Sequence, residues 1–193
     1  VNVDFLKVYD SLSCCSFLGD ASSFFDIKET ADTAKLNHVR LKVKPGNWFV
    51  FNPDKVSKGI MSPLLKTGRA YNHHRSCDAI FIKKIDDTND VEVFYFDLKS
   101  GNPSGYAGQF QSSRQFVRYL LNLNEEFNKV RFSIKKEKYV IFYGGVQVSM
   151  NKTPTLHLSS PEVVPPNQPD NAYKKCCHNG QIVLIGVVSE NGK

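Results

Sequence analysis

The chain has 193 residues, 41% of them hydrophobic, and a formal net charge of +6. That is enough for one domain with its own core and no cross-links. No apolar run approaches a membrane span and no signal or transit pattern opens the chain, which points away from membrane functions and toward a cytoplasmic protein. The basic balance favours a polyanionic partner, although the lysines and arginines are spread out, with local pairs at Lys83-Lys84, Lys135-Lys136 and Lys174-Lys175.

Before residue 70 the patterns are mixed. Phe5 to Phe17 reads as a helix weakened by Cys14-Cys15. Asp26 to Leu36 reads as another, with Asp26 as N-cap and Glu29 three residues later completing a capping box. His38 to Lys44 and Asn47 to Phe51, around Pro45-Gly46, read as a hairpin. His73-His74-Arg75 is either an exposed loop or a contact for nucleic acid.

The next stretch carries chemistry. Cys77 to Ile85 and Val91 to Leu98 are β-branched and aromatic runs separated by the polar turn Asp86-Asp87-Thr88-Asn89-Asp90, a strand–turn–strand signature. A hairpin centred between Asp87 and Thr88 sets Asp78 opposite Asp97, with both side chains on one face. Lys99, two residues on, shares that face. A one-residue slip would send one carboxylate to the other side. Ile80, Ile82, Val93 and Tyr95 share the acids' face, and Phe81, Phe94, Phe96 and Leu98 form the other. Strands apolar on both faces are interior strands. Acids at their ends are partly desolvated, and a bound cation would compensate.

After the loop Ser100 to Gly105 a helical pattern runs from Tyr106 to about Asn128, with Phe110, Phe116, Val117, Leu120, Leu121 and Phe127 as apolar positions. Gln111, Gln115, Arg118 and Tyr119 recur at three- and four-residue spacing on one sector. A helix of amides, arginines and a tyrosine facing a carboxylate pocket suits a phosphodiester backbone.

Lys138 to Tyr143 reads as a buried strand ended by Gly144-Gly145, and Gln181 to Val188 as another. Residues 151–174, rich in proline, form a long connection within the domain. Five cysteines occur in no Cys-x-x-Cys spacing. The neighbours Cys176, Cys177 and His178 would face alternate sides of a strand, so reduced thiols are expected rather than a structural zinc. No glycine-rich phosphate loop and no serine nucleophile elbow is present.

Asp78 on one strand, Asp97-x-Lys99 on the next and Gln115-x-x-x-Tyr119 on the following helix resemble the PD-(D/E)xK nuclease superfamily. The likeness is to the branch with a Gln-x-x-x-Tyr motif, seen in recombination and CRISPR-associated nucleases. It covers roughly residues 70–150. Cys77 stands where the family name has proline, and the second acid is aspartate.

The resemblance implies a single α/β domain over 1–193, with a restriction-endonuclease-like core and a central mixed β-sheet flanked by helices. It implies hydrolysis of DNA with Mg2+ or Mn2+ held by Asp78, Asp97 and the carbonyl of Leu98, in a defence or mobile-element setting. Lys99 and Gln115 would join the catalytic group. Tyr119, Gln111, Arg114, Arg118 and His74 would contact the strand. Many members add a glutamate from an upstream helix, and Glu29 is the candidate here beside its reading as a helix cap. Targeting would come from a protein partner or a homodimer. The alternative is an inactive nuclease-fold subunit kept for DNA binding or interaction, and an RNA substrate stays open.

Overall fold

The computed structural model describes residues 3–13, 15–18, 23–29, 31–53, 64–68, 70–85, 87–144, 156–157 and 167–185. Among these residues two helices, α1 (Val3–Asp10) and α2 (Ala107–Asn128), accompany ten strands. The strands are β1 (Cys15–Leu18), β2 (Ser23–Lys28), β3 (His38–Val43), β4 (Trp48–Phe51), β5 (Ala79–Ile85), β6 (Asp90–Ser100), β7 (Ser133–Gly144), β8 (Leu156–His157), β9 (Tyr173–Cys177) and β10 (Gln181–Ile185). The fold is α/β with mixed sheets, and strands outnumber helices more than expected. Among the described residues no helix is long and apolar enough to cross a membrane.

A six-stranded sheet runs β1-β4-β5-β6-β7-β9 and a four-stranded sheet runs β2-β3-β10-β8. In the first, β1 to β6 pair antiparallel, while β6, β7 and β9 run parallel. The parallel step from β6 to β7 requires a crossover, and α2 is that crossover.

Alternation along β5 and β6 builds two cores. Ile80, Ile82, Val93 and Tyr95 pack under Phe5 and Val8 of α1 and Phe110, Val117 and Leu120 of α2. Phe81, Phe94, Phe96 and Leu98 pack on the other face against Val39, Leu41 and Val43 of β3 and Val183 and Ile185 of β10. The molecule is therefore layered helix, large sheet, small sheet, and β6 is buried on both faces from Val91 to Leu98.

Several expectations are corrected. The first helix stops at Asp10, because Cys15–Leu18 extends to pair with β4. Asp26 to Leu36 is not a helix. Residues 23–28 alternate, with Phe25 and Ile27 turned inward and Phe24 and Lys28 exposed, and they pair with β3. Asp26 caps nothing. Its carboxylate accepts from Arg40 at 2.9 and 3.1 Å and contacts His38 at 2.8 Å. Arg40 above all holds it down at about 2, against a smaller upward push from burial.

The segments around Pro45-Gly46 are both strands, but they do not form a hairpin. β3 belongs to the small sheet and β4 to the large one, so this turn hands the chain between layers. β10 also lies in the small sheet, parallel to β3, and residues 186–188 of its expected span lie outside the described residues. Strand β9 reaches back to Tyr173, inside the expected connection, and was not marked there because Tyr173–Cys177 reads Tyr-Lys-Lys-Cys-Cys with little apolar signal. Part of the proline-rich connection lies outside the described residues. Its end docks on β7, where the Asn167 amide accepts from Tyr139 N at 2.6 Å and donates to Tyr139 O at 3.0 Å.

β7 ends at Gly144, whose φ is +133° and whose missing Cβ would overlap the Cys177 carbonyl oxygen across the β7–β9 ladder. Left-handed backbone disfavours any side chain and this contact is to backbone, which does not yield. Gly144→Ala is expected to destabilise the fold by about 2 kcal/mol or more, read as a lower urea midpoint at unchanged slope. An unchanged midpoint would refute the close approach.

Candidate active site

The hairpin register sets the site. Ala79 pairs with Phe96 and Ile85 with Asp90, so the residue before β5, Asp78, comes opposite Asp97. Both are buried, at 8% and 1% exposure, on the face covered by α2. Their contacts are specific. Leu98 N donates to Asp78 Oδ2 at 2.6 Å, and Lys99 Nζ lies 2.7 Å from Asp97 Oδ2.

Gln109, in the first turn of α2, closes the group. Its Nε2 donates to Asp97 Oδ1 at 3.3 Å and to the Ser76 carbonyl at 3.1 Å, while its Oε1 accepts from Lys99 Nζ at 2.6 Å. One helical turn later, Ser113 Oγ accepts from Cys77 N at 3.0 Å. Two residues at i and i+4 of α2 thus clamp the strand leading into Asp78, since that spacing puts them on one face.

The charges do not balance locally. Like charges ~5 Å apart repel by about 3 kcal/mol at the effective dielectric of a protein site, which matches or exceeds the about 1.5–3 kcal/mol that a hydrogen bond to a charged group returns. Among the described residues Lys99 is the lysine paired with these acids, and it is already committed to Asp97. Burial first, and then the Asp97 charge, push the Asp78 carboxyl well above the usual carboxylate range, against the Leu98 hydrogen bond and the Lys99 charge. The surplus negative charge is relieved either by a proton on Asp78 or by a cation.

Glu29 adds to that surplus, because its charge also raises Asp78. It does not sit on a helix. It follows β2, where its Oε1 accepts from Ala31 N at 2.9 Å. The turn it opens leans on the end of β6: Ser100 Oγ accepts from Lys35 N at 2.6 Å and Leu36 N at 3.3 Å.

The other residues singled out from the sequence fall elsewhere. Gln111, Arg114, Gln115 and Tyr119 line a cavity between α2 and Leu64, Leu65, Asn72 and His73. The residue that meets the acids is Gln109, not Gln115. Arg118 pairs with Glu137 of β7 at 3.4 Å, and Arg114 lies beside the buried Tyr139 hydroxyl. His74 donates through Nε2 to the Leu65 carbonyl at 3.2 Å. A signal for Gln109 was present: it lies four residues before Ser113, on the sheet-facing stripe that continues through Val117 and Leu120. Polar residues opening an inward stripe mark where a helix meets polar groups.

A carboxyl whose pKa is raised on folding binds more protons in the folded state than in the unfolded one. Its contribution is therefore present at low pH and lost as pH rises from the ordinary carboxylate range through the raised value. In metal-free buffer Asp78→Asn, which keeps an oxygen for Leu98 N, should melt higher than the parent at pH 8 by about 3 °C or more. The gap should close toward pH 4, and a gap independent of pH would contradict this electrostatic account.

No protein-family model, curated protein or solved structure matches the chain. The chemistry is therefore read from Asp78, Asp97, Lys99 and Gln109 themselves.

Proposed function

We propose that the chain is a magnesium- or manganese-dependent phosphodiesterase acting on DNA, built on a nuclease core of the PD-(D/E)xK kind. The observation that carries this reading is the pair of buried carboxylates on adjacent strands, with Lys99 and Gln109 packed on Asp97. Among the described residues no three His, Cys, Asp or Glu side chains cluster as metal ligands. The donor set still fits magnesium, which is commonly bound through one or two carboxylates and keeps several waters.

Asp78 and Asp97 would hold the ion. Leu98 would add its carbonyl, because N–H and C=O of one strand residue point to the same edge and Leu98 N faces Asp78. The ion, when bound, supplies Lewis-acid polarisation of a phosphate oxygen and acidification of the attacking water. Lys99, 22% exposed, offers its ammonium to charge that builds on the phosphate. Gln109 fixes the lysine and Asp97 in one geometry, and the α2 layer keeps bulk water off the carboxylates. A second reading, a non-catalytic DNA-binding or interaction subunit, is favoured by one contact: at 2.7 Å Lys99 already neutralises Asp97.

The purified chain should cut plasmid and linear DNA with added magnesium and spare both in chelator. Asp97→Ala should lose at least about a hundred-fold in rate, and undiminished cutting by this variant overturns the proposal. Gln109→Ala should slow cleavage more than Gln115→Ala, and the reverse order would shift the site along α2. Thermal melting separates the two readings. A catalytic site gains stability from millimolar magnesium through Asp78 and Asp97, whereas a binding module melts at the same temperature with and without it.

A further inference from the structure

The cavity beside α2 is a built feature apart from the acids. Its volume is about 860 Å³, within the range of small-molecule and cofactor sites. Its walls are Leu65 and His73 on one side and Phe116 and Tyr119 on the other. Gln111, Gln115 and Arg114 supply polar groups, and none of the lining residues is acidic. Arg114 lines the cavity while its guanidinium lies beside the buried Tyr139 hydroxyl.

The His73 wall is held in place. Ser112 Oγ donates to the His73 carbonyl at 2.6 Å. Gly108 lets Asn72 approach so closely that a Cβ would lie 3.0 Å from its Cγ. The His73 ring packs on Tyr71, with centroids 5.3 Å apart and planes 30° from parallel. Tyr119, 56% exposed, presents a phenol ring at the cavity edge.

We infer that this cavity receives an unpaired nucleobase, so that the chain binds single-stranded nucleic acid. The aromatic and apolar walls suit the faces of a base and the amides its edge. A base inside a duplex is stacked and paired and cannot enter. The inference rests on the phosphodiesterase reading only for direction. Gln109 touches the acids and Gln115 lines the cavity, six residues or about 9 Å further along α2, so a strand crossing the acids passes the cavity within a few nucleotides.

The test is fluorescence anisotropy in chelator, with labelled single-stranded DNA, single-stranded RNA, the matching blunt duplex and an oligonucleotide carrying consecutive abasic sites. One or both single strands should bind about ten-fold or more tighter than the duplex and the abasic strand. Tyr119→Ala and Gln115→Ala, both at exposed positions, should each remove much of that advantage, about five-fold or more for Tyr119→Ala. The DNA and RNA arms show which sugar is accepted. Equal binding of duplex and single strand, no binding at all, or single-strand binding unchanged by either substitution overturns the inference. Tight single-strand binding with no cleavage on adding magnesium would overturn the phosphodiesterase reading and leave the base pocket standing. Magnesium-dependent cutting of duplex unaffected by Tyr119→Ala would do the opposite.

Discussion

Asp78 and Asp97 are brought together by backbone pairing and not by attraction for each other. The ladder from Ala79 opposite Phe96 to Ile85 opposite Asp90 leaves the two carboxylates on one face, at 8% and 1% exposure, with Lys99 paired to Asp97. Three contacts moderate that cost, Leu98 N on Asp78 and Lys99 and Gln109 on Asp97, against the charge of Glu29. Buried like charges of this kind are expensive and concentrate where a site needs them. The rest of the molecule can be understood as the scaffold that keeps the ladder from slipping.

That scaffold works through layers. The small sheet fills the face lined by Phe81, Phe94 and Phe96, and the helices fill the face lined by Ile80, Ile82, Val93 and Tyr95. A slip of one residue would turn one strand's two sets over and send one of the acids to the other layer. α2 serves twice. Its inward residues Gln109 and Ser113 clamp the acids' approach strand, and residues from Gly108 to Tyr119 on its other side form one wall of the cavity. Stability and the proposed substrate path thus share one helix, so substitutions on its two sides should separate folding from binding.

The parts legible in the sequence are those with a local signal. β5, β6 and β7 are continuous β-branched and aromatic runs, α2 carries helical spacing, and the hairpin centre was set by a short polar turn. The parts that were not legible depend on partners distant in the chain. Asp26 looked like a helix cap because Glu29 follows at the capping spacing, yet the run between them also alternates, and pairing with β3 decided in favour of a strand. Pro45-Gly46 looked like a hairpin turn because nothing local tells β3 that β10, more than a hundred residues later, will lie beside it. Within the site, Gln115 drew attention by its spacing to Tyr119, while Gln109 did the contacting, because the loop after Lys99 sets which turn of α2 meets the acids.

On the proposed reading the two carboxylates form one cation site. Crystals grown with millimolar manganese, with anomalous diffraction recorded for that ion, test it most directly. The expected result is a single strong anomalous peak within direct bonding distance, roughly 2.0–2.2 Å, of carboxylate oxygens from both Asp78 and Asp97. No peak between them, with Lys99 still paired to Asp97, would contradict the account.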